Sequence, residues 1–118
     1  MEEKLFIGVG RLSLFFRQAR TLKDKRNHLQ SLKQKLRNEG WSVVEIGHQE
    51  DPKRSFLGFT YAAPSQGRLD SAFEKVGSFL LGNFEVVQKS KEVLEYSVDS
   101  LIDENTLTRS VLGDVDSD

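Results

Sequence analysis

Between Arg11 and Arg37 the chain places nine Lys and Arg side chains against a single acid, Asp24. Cations at that density attract anions, and arginine can grip a phosphate or carboxylate through two parallel N–H bonds. Other chemistries find little to work with. No cysteine is present, which removes disulfides, thiolate metal sites and thiol nucleophiles, and fits a reducing compartment. His28 and His48 have no partner carboxylates at metal-motif spacing. No nucleophile elbow, phosphate-binding glycine loop or pair of catalytic acids is recognisable either. These residues point to a binding surface rather than an enzyme, with no cofactor and no metal.

The formal net charge of -1 conceals a division at Val98. Residues 1–98 carry 16 basic and 12 acidic side chains, a net of +4, whereas 99–118 carry one Arg against six acids, a net of -5. A length of 118 residues fits one domain with one core. We therefore expect a single domain over 1–98 followed by an acidic tail, 99–118. The apolar Leu101, Ile102, Leu107, Val111 and Leu112 leave open whether that tail docks or stays flexible. Met1 to Lys4 is rich in acids and runs into only a short apolar stretch, unlike a secretory signal or a membrane span. A cytoplasmic protein without membrane contact is expected.

The elements that position the cations are legible in the pattern. Leu5 to Phe16 alternates as a strand from Leu12 onward, while Gly8 and Gly10 leave the earlier parity open because a strand glycine can mark a bulge. Thr21 and Asp24 form a capping-box-like pair, and Leu22, Leu29, Leu32 and Leu36 share one helical face before Gly40. The spacing predicts a first helix over 22–38. Trp41 to His48 and Arg54 to Ala63 read as strands around a turn that holds Asp51-Pro52. A second helix follows on Leu69, Ala72, Phe73, Val76, Phe79 and Leu80, ending near Gly82-Asn83, and Phe84 to Val98 supplies a last strand. The order is βαββαβ. It predicts an α+β, ferredoxin-like sandwich, with a four-stranded antiparallel sheet and two helices on one face.

The run Ala19-Arg20-Thr21-Leu22-Lys23-Asp24-Lys25-Arg26 closely resembles the A-R-S-L-K-D-K-R signature of the YlxP-like family, small bacterial proteins long classed as of unknown function. Val44-Glu45-Ile46-Gly47-His48-Gln49-Glu50 resembles that family's V-A-E-V-D-H-Q-D segment, and Arg54 and Leu57-Gly58 follow after the same gap. The likeness covers roughly residues 5–98. It departs at Gly47, where an acid is usual, and at Asp51-Pro52, where Leu-Trp is common. The resemblance implies a ferredoxin-like fold. Because genes of the family often neighbour those for translation initiation and ribosome maturation factors, it also implies a link to the ribosome or RNA.

In such a fold the end of strand one, the start of helix one and the turn between strands two and three lie at one end of the sheet. Arg17, Arg20, Lys23, Lys25 and Arg26 are expected to gather there with His48, Gln49, Lys53 and Arg54, beside free N–H groups of the first helical turn. Lys33 and Arg37 continue a row along the helix at i+7 and i+11 from Arg26. The leading expectation is a non-enzymatic binding protein whose basic surface meets RNA or a ribosomal subunit. Against it stand a merely solvated charged face and a structural role for His48. Phe56 and Tyr61 also match scattered positions of an RNA-recognition motif. The alternative function is a homodimeric interaction module without nucleic-acid binding, prompted by more apolar strand residues than one buried face requires.

Overall fold

Strand alternation and two capped amphipathic helices set the architecture. In the computed structural model, which describes residues 3–97, the elements are β1 (Lys4–Phe15), α1 (Leu22–Asn38), β2 (Ser42–Gly47), β3 (Arg54–Ala63), α2 (Gln66–Leu80) and β4 (Glu85–Ser97). The acidic segment 99–118 and Val98 lie outside the described residues. All neighbouring strands pair antiparallel in the order β2-β3-β1-β4. Two split βαβ crossovers of this order make the fold ferredoxin-like.

The expected capping box is present. Thr21 Oγ1 accepts from the Asp24 N–H at 3.1 Å, and the Asp24 carboxylate accepts from the N–H groups of Thr21 at 3.2 Å and Arg20 at 3.0 Å. At the other end Gly40 takes φ 99°, which lets its N–H reach Arg37 O and the Trp41 N–H reach Leu36 O, a Schellman closure. α2 is capped by Ser65, whose hydroxyl accepts from the Arg68 N–H.

One face of the sheet carries the core. Leu12, Leu14, Leu57 and Phe59 lie buried beneath Leu29, Leu32 and Leu36 of α1 and Ala72, Val76 and Leu80 of α2. Leu22, expected on the α1 stripe, is only half-buried. Its place on the inward face is taken by Lys25.

The parity of β1 before Gly10 is now settled. Pairing with β3 runs unbroken from Phe6 to Phe15, so neither glycine is bulged; the sheet irregularities fall in β4 opposite Ser13/Leu14 and in β2 between Glu45 and Gly47. Gly8 and Gly10 face the helices, where a Cβ on Gly10 would stand 2.3 Å from the Phe59 ring and one on Gly8 would meet Leu69 at 2.6 Å. The missing side chains make room for an aromatic cluster. Trp41 packs its ring 5.0–5.1 Å from those of Phe59, Tyr61 and Phe73.

Candidate anion-binding surface

The segments expected to converge do so, tied together by their own cations. Lys53 Nζ donates to Ala19 O at 2.7 Å and Arg17 O at 2.9 Å, while the Phe16 N–H donates to Lys53 O at 2.7 Å. These bonds fasten the β2–β3 loop to the β1–α1 turn.

Lys25 is the residue whose role departs furthest from the expectation. Its side chain is 0 % exposed and its ammonium donates to His48 O at 2.7 Å, Arg54 O at 3.0 Å, Glu45 Oε2 at 3.2 Å and Gln49 O at 3.4 Å. Ser55 Oγ, also buried, donates to the same Glu45 oxygen at 2.7 Å. A buried lysine requires a charge partner and acceptors for its protons, and all are supplied from within. Lys25 is therefore a bolt between α1 and the loop, with no ammonium left for an external ligand.

His48 serves the same bolt through its backbone. It is the one non-glycine residue with positive φ among those described, at 61°, a conformation that costs a β-carbon residue energy. The carbonyl it directs inward accepts from Lys25 Nζ and from the Asp51 N–H. Its exposed ring lies parallel to Phe56 at 6.3 Å. Gln49 donates its side-chain amide to Glu45 O. Both residues shape the loop rather than stand free of it.

The remaining cations divide by partner. Arg17 is ion-paired to Glu85 at 2.8 Å with its guanidinium 5.4 Å from the Phe15 ring centre, and Arg54 faces Asp51 at 3.6 Å. The Lys53 N–H bond, ahead of the charges of Arg54 and His48, holds the Asp51 carboxyl below the usual carboxylate range. By contrast the side chains of Arg20, Lys23, Arg26 and Arg37 are exposed, and that of Lys33 half-exposed, without an ion pair or hydrogen bond among the described residues. Arg26, Lys33 and Arg37 follow one flank of α1 beside the buried stripe. His28 occupies the other flank, stacked on Phe16 at 6.3 Å. Arg37 lies eleven residues beyond Arg26, about 16 Å along the axis.

The helix N-terminus is less open than expected. Asp24 occupies the N–H groups of Arg20 and Thr21, and its carboxyl is held below the ordinary range first by the Arg20 N–H and then by the Thr21 contacts. A carboxylate already sits where an anion would approach the dipole. What this end offers a polyanion is side-chain charge. A small cleft of about 150 Å³ opens beside it, between Phe16, His28, Phe84 and the Arg17–Glu85 pair. Among the described residues no cluster of His, Cys, Asp or Glu could hold a metal ion, and no helix is long and apolar enough to cross a membrane.

The partial match to an RNA-recognition motif is corrected by side-chain direction. Phe56 lies on the uncovered face, but the next position on that face is Gly58, and Tyr61 turns inward against Trp41. Phe56 and Tyr61 therefore fall on opposite faces of the sheet and cannot together stack on bases as such a motif requires.

Residues 7–93 match the profile of a family described as "Protein of unknown function (DUF503)". No curated protein matches the chain significantly. Among solved structures, protein SO0527 from Shewanella oneidensis is similar with 13% identity and a TM-score of 0.47, over 80% of this chain and 92% of that one. A nitrogen regulatory PII-like protein, CPII from Thiomonas intermedia K12, gives 11% and 0.44 over 82% and 96%. A dimeric ferredoxin-like protein from an uncultured marine organism gives 8% and 0.38 over 81% and 95%.

Proposed function

The chain belongs to the DUF503 family, and from that premise we propose that it is one of the YlxP-like proteins and a non-enzymatic, cytoplasmic RNA- or ribosome-associated binding protein. The observation that carries the reading is the set of cations on and just before α1 that have no partner among the described residues: Arg20, Lys23 and Arg26 at the start, Lys33 and Arg37 along the flank. The only acid in the first helical turn, Asp24, is engaged in the cap. A phosphate backbone laid along this flank meets positive charge over about 16 Å. The surface prescribes no base sequence, because its groups are suited to phosphate oxygens.

The test is binding to ribosomal subunits and to isolated ribosomal RNA across a salt series, for the wild type and an Arg20→Ala/Lys23→Ala/Arg26→Ala variant. Each lost phosphate contact should reduce the log–log salt slope by ~0.7–0.9, so the triple variant should lose roughly 2–3 units of slope and bind more weakly at every salt concentration. Arg17→Ala, which removes a cation already neutralised by Glu85, should change binding much less. Equal affinity and slope for wild type and triple variant would reject this surface.

A further inference from the structure

The face of the sheet turned away from the helices has no cover among the described residues. The register places its side chains in rows: Val44, Gly58, Arg11 and Ser90 lie across the middle, with Thr60, Val9 and Glu92 in the next row. Apolar residues gather in two patches on opposite sides of Arg11 and Glu92. One, on β1 and β4, is formed by Ile7, Leu94 and Tyr96; the other, on β2 and β3, by Val44, Ile46 and Phe56. Leu94, Tyr96, Val44 and Ile46 are 42%, 44%, 56% and 52% exposed. Val44 and Ile46 lean over Gly58, with side-chain atoms 3.7–3.9 Å from where its Cβ would stand.

We propose that this face receives a second copy of the chain, sheet against sheet, about a two-fold axis midway between Arg11 and Glu92. Charge distribution selects the occupant. Arg11 and Glu92 sit diagonally on adjacent strands, yet form no ion pair with each other; Arg11 Nε donates to Ser90 Oγ at 3.0 Å instead. Between the patches the face is thus neutral, with one charge of each sign. A polyanion gains little from it, and neither does the segment 99–118 with its six acids and one Arg.

A second copy meets both demands together. The axis that brings Arg11 over Glu92 of the other copy also brings each β1–β4 patch over the other copy's β2–β3 patch, because the two patches lie at similar distances on opposite sides of the charge pair. Such an interface is self-complementary, as a two-fold dimer requires. Size agrees as well. Four strands ~4.8 Å apart and about ten residues long at ~3.3 Å each give a footprint on the order of 600 Å², and side-chain relief brings the area near the roughly 800 Å² per partner of a stable interface.

Sedimentation velocity of the full-length chain over a concentration series tests the proposal, with circular dichroism as the check on folding. The wild type should pass from monomer to dimer. Ile46→Lys and Leu94→Lys, at exposed positions outside the core, should each raise the dimer dissociation constant about tenfold or more. Arg11→Glu and Glu92→Arg should each weaken the dimer, and the Arg11→Glu/Glu92→Arg double variant should restore it. A merely structural role for these residues would not produce that rescue. A wild type that stays monomeric throughout overturns the proposal, whether its open face is solvated or is protected from deuterium exchange by residues 99–118. So does a dimer indifferent to all four single substitutions.

Discussion

Replacing Lys25 by methionine keeps most of the side-chain volume but removes the ammonium that joins α1 to the β2–β3 loop. It leaves Glu45, only 14% exposed, without its counter-charge, and the carbonyls of His48 and Arg54 without their donor. Breaking one partner of a buried pair costs about 3–5 kcal/mol. Ser55 still donates to Glu45, so the lower end applies, about 3 kcal/mol. For a domain of this size that corresponds to a melting temperature lower by roughly 12–24 °C. Lys25→Met/Glu45→Met should recover part of the loss, because the stranded charge is then gone, and the coupling should appear in a double-mutant cycle. Thermal and urea unfolding supply the stabilities. Hydrogen exchange should show faster amides in 48–54 while the second half of α1 stays protected. A Lys25→Met variant within about 0.5 kcal/mol of wild type would refute the bolt, since that is the range of ordinary surface substitutions.

Gly10→Ala drives a Cβ to 2.3 Å from the Phe59 ring, which Trp41 confines on another side, and should cost about 1–3 kcal/mol in urea unfolding. Gly58→Ala meets only ordinary contacts at 3.7 Å and should leave stability unchanged or raise it by up to about 1 kcal/mol; equal losses at both sites would contradict the packing described. Asp24 has its carboxyl lowered in the folded chain, so its charge stabilises fully above the unfolded value near ~3.9 and is lost as pH falls through the lower folded value. The stability gap between wild type and Asp24→Asn should therefore hold from neutral pH down to about pH 4 and close below it; a gap that persists in strong acid would exclude the charged cap as its source.

The elements were legible because each carries a local physical signal. The Thr21/Asp24 box, the Leu29-Leu32-Leu36 face and Gly40 fix α1 without reference to the rest of the chain, and the structure has it at Leu22–Asn38 as expected. The bolt is less legible because lysine is ordinarily a surface residue. Yet Lys25 stands four residues before Leu29 on the same face, and Glu45 alternates with Val43 toward the helices. An opposite pair at two inward-facing positions, one on the helix and one on the following strand, was the available signal. The parity of β1 could not be resolved locally, because it rests on a contact between Gly10 and Phe59, residues that meet only once the sheet is formed.

The cluster between Arg11 and Arg37 thus divides by direction rather than by sequence. Lys25 points inward, Arg11 lies on the open face, Arg17 is neutralised by Glu85, and the cations along α1 point outward. Because both helices cover one face of the sheet, the α1 row belongs to the helical layer and the open apolar face lies on the other side of the sheet. A dimer formed through the open face would leave both rows uncovered, one on each outer side. Binding of a polyanion and self-association therefore use separate residues: Arg20, Lys23 and Arg26 can be removed without touching the open face, and Ile46 or Leu94 without touching the row. That separation makes each reading answerable on its own, since loss of anion binding in a variant that still self-associates reports on the α1 row alone.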